Sequence, residues 1–411
     1  MLKSTTNSYE VRSRLHSNPR RNLRLVMFES ALTHGSISIA IMTPFFISIG
    51  LNQAKIAAVQ AIFTVVVMLL NFPTGWLADR FSRKWANVLG DFGCAISYLC
   101  YSRANSFLTA VACEILLGFF MAFSQGVDFS LLKHFSEQLS SSNAQQDQST
   151  QEQNFRRQSA NLVTYQYLAS ILLCLLGGPL GVVSFRFAIA ANGITYLIAG
   201  IVGLFIQDDS ERLTTTKATP LGDMCRIARE SFTPGRLRRR IVAFAIVREM
   251  THGIIWIFTP MLLVAGVPLA VVSAAWALSS VASTIGARLA RRFSVNLPAW
   301  KVLLIPLVII TCGLGIITIE LNAITVWCYL LASIAQGWVG ASALSLVQQE
   351  ALPGEQTSVV SLAKVLGQLL YMPAVWLIGF VADFDLRYAA LVTIILFVPA
   401  GLYVVSRIRK E

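Results

Sequence analysis

The sequence predicts an all-α polytopic membrane protein, with twelve transmembrane helices in two pseudo-symmetric six-helix bundles. Three observations predict it. First, 55% of the 411 residues are hydrophobic and only 13% are charged, with a mean hydropathy of +0.63. A soluble domain carries roughly one quarter charged residues. Second, the apolar runs are about 20 residues long, the length a helix needs to cross a hydrocarbon layer of about 30 Å. Large soluble cores would break such runs with charge. Third, one phrase recurs, THGSISIAIMTP at Thr33–Pro44 and THGIIWIFTP at Thr251–Pro260. The period-two alternation of a membrane barrel is absent, so helices are the spanning structure that remains.

The spans follow in order at 25–49, 55–78, 85–102, 107–132, 160–182, 186–206, 241–265, 269–290, 299–319, 323–348, 358–381 and 387–406. Spans 1 and 7 carry the recurring phrase. The connections after odd-numbered spans are short, and those after even-numbered spans hold most of the polar residues. Residues 133–159, between spans 4 and 5, are Ser/Gln-rich and expected to be mobile. The longest connection, 207–240, ends in GRLRRR and reads as the linker between the bundles. The chain thus divides into an N-terminal tail (1–24), a first bundle (25–206), the linker (207–240), a second bundle (241–406) and a short tail (407–411).

The distribution of Lys and Arg sets the orientation. The N-terminal tail has Lys3, Arg12, Arg14, Arg20, Arg21 and Arg24, and the even connections and the C-terminal tail add most of the rest. The opposite side has Lys55, Arg103, Arg186 and Arg387. The positive-inside rule then places both termini and the linker in the cytoplasm, and a bacterial-type inner membrane is the expected location. The net charge of +12 is a topological signal suited to anionic lipid headgroups, and no nucleic-acid partner is expected. Of seven cysteines, six lie within apolar runs and only Cys225 in a polar one. None has metal-ligand spacing, so no disulfide framework, metal or cofactor is expected. The first 24 residues are polar and basic, so no signal peptide is expected.

The two halves resemble each other. Thr33-His34-Gly35 corresponds to Thr251-His252-Gly253 at an offset of 218, and Pro44 and Gly50 correspond to Pro260 and Gly266 at 216. LADRFS (Leu77–Ser82) corresponds to LARRFS (Leu289–Ser294) at 212. Ordered matches at a near-constant offset, at equivalent points of the topology, indicate duplication with small deletions in the second copy. Two parallel six-helix repeats place a substrate site between the halves near the midplane.

The connection after span 2 reads GWLADRFSRK. It resembles the signature of the major facilitator superfamily, Gly-x-x-x-Asp-Arg/Lys-x-Gly-Arg/Lys-Arg/Lys, at the same place. Gly75, Asp79, Arg80, Arg83 and Lys84 match, whereas Ser82 stands where glycine is usual. The resemblance covers essentially the whole chain. It implies that Asp79 locks the cytoplasmic side against span 11 and that Asp128, at the end of span 4, partners Arg80 or Arg83. A carboxylate near a helix N-terminus is favoured by its partial positive charge, and Gly75 allows close packing. A basic loop serving topology alone would read the same way. Arg291 replaces Asp79 in the second copy, so the lock is expected to be asymmetric. The family's Arg-x-x-x-Gly in span 4 is here EILLG, with Glu114 before Gly118. LLGGPLG (Gly177, Gly178, Pro179, Gly181) is similar to a truncated Gly-Pro motif of the family's exporters, and packing glycines explain it equally well.

A charge near the bilayer centre costs at least about 2.5–3.5 kcal/mol, so ionisable residues within spans are candidates for function. They are Glu29, His34, Asp91, Glu114, Arg248, Glu249, His252 and Lys364. The resemblance implies that spans 1, 4, 7 and 10 line the cavity, where most of them fall. His34 and His252 each lie about ten residues, roughly 15 Å, into a helix. Arg248 and Glu249 share a face with His252. Imidazole changes charge near neutral pH, so the histidines, with Glu29, Glu114 and Glu249, are proton-coupling candidates. Trp256, Gln336 and Trp338 offer substrate contacts. Simpler roles compete: a histidine can bond a neighbouring helix, Glu249 can neutralise Arg248, Glu29 can reach the interface, and tryptophans can pack.

No nucleophile–base set or metalloprotease motif is present, so an enzyme is not expected. The resemblance, loosely to the drug- and metabolite-exporter branch, implies proton-driven efflux of a small organic molecule such as a drug, metabolite or siderophore. Proton-coupled uptake, metal-ion export through His34 and His252, and a non-transporting membrane sensor are the alternatives. The expected partners are a small-molecule substrate, the proton and the bilayer, with the chain acting as a monomer.

Overall fold

Helices make up the regular structure of the computed structural model, which describes residues 18–80, 82–124, 127–141, 148–207, 235–343 and 356–410, with Arg229, Thr233, Leu346, Val347 and Glu350. The N-terminal tail before residue 18 and most of the linker lie outside the described residues. In the first half, span 1 is α1 (Pro19–His34) and α2 (Met42–Ser48), span 2 is α3 (Gln53–Arg80) and span 3 is α4 (Arg83–Tyr101). Span 4 is α5 (Phe107–Ser124) and α6 (Val127–Ser141), span 5 is α7 (Gln148–Val183) and span 6 is α8 (Phe185–Leu204). In the second half, span 7 is α9 (Arg236–His252) and α10 (Ile255–Val264), span 8 is α11 (Leu269–Phe293) and span 9 is α12 (Ala299–Ile319). Span 10 is a 3-10 turn at Thr325–Cys328, α13 (Tyr329–Trp338) and a π turn at Val339–Ala343. Spans 11 and 12 are α14 (Gln356–Ala382) and α15 (Leu386–Arg409). Among the described residues, nine of these segments are long and apolar enough to cross a membrane. Spans 1 and 10 are interrupted, and span 3 carries Arg83, Lys84 and Asp91.

Packing repeats span by span. In the first half, α4 lies against α5 and α8, α3 against α5, and α1 against α7 and α8. In the second half, α12 lies against α13 and α15, α11 against α13, and α9 against α14 and α15. These are the same pairings six spans later, so a two-fold axis relates the halves. The halves meet where α3 lies along α14, α7 along α11 and α2 beside α10. The axis exchanges the first two contacts and maps the third onto itself. The ends of spans 2 and 4 that lead into the polar connections form the terminal end, where the first and last described residues, Asn18 and Lys410, also lie; the opposite end is distal.

The duplicated glycines behave identically. Gly50 (φ 84°) and Gly266 (φ 85°) are the only described residues with positive φ. Each closes its helix with a six-to-one bond from the following residue, Leu51 N to Phe46 O at 3.0 Å and Val267 N to Leu262 O at 2.9 Å. A left-handed residue at this position is needed for that ending, and glycine adopts it without a Cβ clash.

Two expectations change. Spans 1 and 7 are not continuous: each breaks just after its histidine, at 35–41 and 253–254. Each break begins at a glycine, and a proline then follows in the next helix, removing one backbone donor. Residues 133–159 are also largely helical, since α6 runs to Ser141 and α7 starts at Gln148. Their Gln, Glu and Arg residues are good helix formers, no Pro or Gly interrupts them, and each spanning helix supplies the costly nucleus.

Small residues set the closest approach within the second half. A Cβ at Gly286 of α11 would fall on the carbonyl of Ile334, and one at Gly337 of α13 on the carbonyl of Ser283. Ser279 and Ser333 hydrogen-bond across the same seam at 2.7 Å. Gly286→Ala or Gly337→Ala should therefore destabilise the protein by about 1–3 kcal/mol, as overpacking does. This would be measured as a lower midpoint of thermal unfolding in detergent. Gly315→Ala, where a Cβ meets nothing within 4 Å, should leave the midpoint unchanged or higher.

Candidate functional site between the two halves

The recurring phrase ends in Thr-Pro in both copies, and the structure gives that pair a purpose. Proline has no N–H, so Pro44 leaves the carbonyl of Ala40 without its helical donor, and Pro260 leaves that of Trp256. Thr259 Oγ1 donates to Ala40 O and Thr43 Oγ1 donates to Trp256 O, both at 3.3 Å. Each half thus supplies the hydroxyl that the other half's proline makes necessary. Thr259 also accepts from Trp276 Nε1 at 2.9 Å. Trp256 itself is half-buried and packs with Ala57 and Ala61 of span 2 and Tyr371 and Val375 of span 11, so it touches both halves.

Further hydrogen bonds between the halves also lie in the distal half. Asp383, past the end of α14, accepts from Gln53 N at 2.6 Å and Ala54 N at 3.1 Å. A carboxylate there meets the orphan donors and partial positive charge of the α3 N-terminus. Cys174 and Ser273 join α7 and α11 through Ser273 O and Leu175 O. Gly178 makes this approach possible, since a Cβ would come within 2.6 Å of Ala270 O; Gly177 and Gly181 likewise admit the broken stretch of span 1. The glycines of LLGGPLG are therefore packing surfaces.

Polar residues of span 6 repair the break in span 1. Asn192 Oδ1 accepts from Ile37 N at 2.7 Å, and Tyr196 OH donates to Thr33 O at 3.0 Å. Two clusters of buried polar groups flank this repair. Towards the terminal end, Glu29 (1% exposed) lies within interaction range of Asn87, Asp91 (0%) and Asp128. Towards the distal end, Glu114 (3%) lies in range of Tyr101 and Gln60. Among the described residues, Glu29 Oε2, both Asp91 oxygens, Asn87 Nδ2, Glu114 Oε2, Tyr101 OH and Gln60 Nε2 have no hydrogen-bond partner within 3.5 Å. No described cation pairs with any of these carboxylates.

The second half is organised differently. The Arg248 guanidinium pairs with the Glu249 carboxylate, which is buried. Gly367 of α14 accommodates the pair, lying against Glu249 Oε1 and Arg248 Nη1. His252 Nδ1 is 3.1 Å from the carbonyl of Arg248. A carbonyl can only accept, so Nδ1 donates and the ring caps its own helix end, joined by Thr251 Oγ1 at 2.6 Å. Lys364, one turn before Gly367 on the same face of α14, is exposed and within electrostatic range of Arg248. His34 is exposed and meets Tyr167 edge-on, with ring centroids 6.5 Å apart. The two histidines occupy matching points of the fold with different surroundings. Among the described residues, no three of His, Cys, Asp and Glu are grouped to hold a metal.

Of the gating motif, Gly75, Asp79 and Arg80 lie at the end of α3 and their side chains fall outside the described residues. Ser82 has a clear role where glycine is usual: its hydroxyl caps α4, accepting from Trp85 N at 3.4 Å. Arg83 and Lys84 open α4, and Lys84 Nζ donates to Leu204 O at 2.8 Å, at the C-terminus of α8. Asp128 ties spans 1, 4 and 5 together. Its Oδ2 accepts from Ser30 Oγ at 2.7 Å and Gln166 Nε2 at 3.1 Å. Trp338 is buried with its Nε1 donating to Val302 O at 2.9 Å, so it packs within the second half. Gln336 is half-buried. The sequence reading passed over Gln60, Asn87, Tyr101, Thr43 and Thr259. Amides inside apolar runs, and a Thr-Pro pair present in both copies, were the available signals.

The sequence model described as Major Facilitator Superfamily matches residues 25–375. No curated protein matches the chain significantly. Solved structures do. A bacterial homologue of the human lysosomal transporter Spinster, in an inward-facing and unoccupied conformation, superposes with a TM-score of 0.73 at 14% identity, covering 96% of this chain and 98% of that one. A mutant of the nucleoside transporter NupG gives 0.75 at 14%, covering 96% and 99%. An auto-inhibited peptide transporter of the POT family gives 0.71 at 14%, covering 95% and 97%. At these identities the likeness concerns the fold.

The threonine exchange yields an asymmetric expectation. Thr43→Val leaves one buried carbonyl without a donor, at a cost of about 1–3 kcal/mol. Thr259→Val strands Ala40 O and Trp276 Nε1 together. Thermal unfolding in detergent should show roughly twice the loss for Thr259→Val, since each stranded group costs about as much.

Proposed function

The chain belongs to the major facilitator superfamily, and on that premise we propose that this multi-pass secondary transporter is a proton-coupled exporter of a small organic molecule. One observation carries the coupling part of the proposal, the unequal chemistry of the halves. The first half buries Glu29, Asp91 and Glu114 with no described cation beside them. Uptake of a proton is what removes such a charge inside a membrane, where an isolated ion is costly. The second half leaves Arg248, His252 and Lys364 partly or fully accessible. In this reading the first half handles the proton, with Glu114 and the Glu29–Asp91 pair as carriers, and the second half holds the substrate, with Trp256 and Gln336 beside it.

The positive-inside bias supports an orientation with both termini and the linker in the cytoplasm of a cell with a bacterial-type inner membrane. In that orientation the distal contacts lie at the outer face, which supports a state that would load from the cytoplasm, as an exporter requires. Residues 25–206 and 241–406 would rock as two bodies within one monomer. Spans 2 and 11 run antiparallel. Asp383, past the end of span 11, caps the start of span 2, and Asp79, at the end of span 2, is proposed to cap the start of span 11 when the inner face closes. Arg80, Arg83 and Lys84 would support that inner lock.

The substrate can be found by untargeted comparison of metabolites released by cells with and without the protein. Proteoliposomes then test coupling. Glu114→Gln keeps shape and removes the acid, so proton-driven transport should fall to the level of empty liposomes while substrate exchange persists. Glu114→Gln, Glu249→Gln and His252→Ala each leaving driven transport intact would reject the coupling. Accumulation from the distal side down an inward proton gradient would replace export by uptake.

A further inference from the structure

Among the described ionisable side chains deep within the spans, burial differs by sign. Glu29, Asp91, Glu114 and Glu249 are all buried, at 3% exposure or less. His34 and Lys364 are exposed, and Arg248 and His252 keep partial access. On α9, Arg248 and His252 are the only residues from Ala243 to His252 that are not fully buried. They are four apart and so share one face. The neighbours of their own half, α12, α13, α14 and α15, pack against this helix, and this face is the part they leave accessible. Lys364 joins them from α14, whose Gly367 touches Arg248 and Glu249.

The donors there are not consumed. A guanidinium offers five N–H groups, and Glu249 engages Arg248 through a single nitrogen, Nη1. Among the described residues, no carboxylate lies within 4.0 Å of Lys364. With Glu249 offset by Arg248, Lys364 leaves the cluster positive, and a planar guanidinium beside an ammonium matches an oxyanion. A cationic molecule would meet repulsion from this cluster, because Glu29, Asp91, Glu114 and Glu249 are withdrawn into the bundles.

We infer that the transported molecule is an organic anion, a carboxylate- or phosphate-bearing small molecule whose oxyanion sits between Arg248 and Lys364. The inference rests on the transporter reading and supplies its substrate class. The test is equilibrium binding by the full chain in lipid nanodiscs, read as a saturable rise in melting temperature. The probes are drug-sized scaffolds, each made as matched carboxylate, phosphate monoester, amide and amine. Anionic members should bind, with the better of the two head groups identifying the oxyanion, and amides and amines should not. Lys364→Gln, at an exposed position, should weaken anion binding at least about tenfold, the loss of one charge-assisted contact. Arg248→Gln should do the same, and Arg248→Gln combined with Glu249→Gln serves if the single variant does not fold. Tighter binding of amines, no binding by any anionic member, or anion binding unchanged in Lys364→Gln would each overturn the inference. No gradient is present, so failure of proton coupling leaves this result untouched. Conversely, proton-driven export of an amine would reject the substrate class and leave the transporter standing.

Discussion

Every backbone carbonyl inside a membrane needs a donor, because no water is there to provide one. This chain breaks that condition deliberately at two equivalent points, with Pro44 and Pro260, and restores it across the molecule. Thr259 serves the carbonyl released by Pro44, and Thr43 serves the one released by Pro260. The exchange fixes α2 against α10. Around that contact the other seams fall into place, α3 along α14 and α7 along α11. The contact between α2 and α10 thus rests on one unmet hydrogen bond in each half.

The duplication governs backbone and packing, and it stops at charge. Gly50 and Gly266 end their helices by the same six-to-one bond, yet the breaks beside them are mended by different means. Span 6 mends the first through Asn192 and Tyr196. In the second, Thr251 and His252 both cap the carbonyl of Arg248. The buried acids Glu29, Asp91 and Glu114 of the first half have no described cation, whereas the buried Glu249 of the second is paired. Two copies of one scaffold can therefore divide two tasks that a single symmetric site could not separate.

Much of this was legible in the residues. Apolar runs of spanning length, the Lys/Arg bias and the THG…TP repeat lead to the helical class and its two halves, because each is a local or periodic property. The breaks at Gly35 and Gly253 were not legible. A single glycine in an apolar run is compatible with continuous helix, and what makes the break stable is Asn192, some 155 positions away. The buried partners of Glu114 were hidden for the same reason, since Gln60, Tyr101 and Glu114 come from three different spans. Trp338 reads as a contact residue from composition alone, and only its bond to Val302 O shows it to be structural. Ser82 reads as a defect in a motif, and the start of α4 shows it to be a cap.

The threonine exchange also bears on how the chain is made. The ribosome delivers the first half long before the second, so the carbonyl of Ala40 enters the bilayer some 219 residues ahead of the hydroxyl that will serve it. During that interval the first half is a complete set of spans with an unfinished interior bond. The last step of biogenesis is then a docking reaction between two inserted halves, and its completion is reported by a pair of hydrogen bonds that neither half can make by itself.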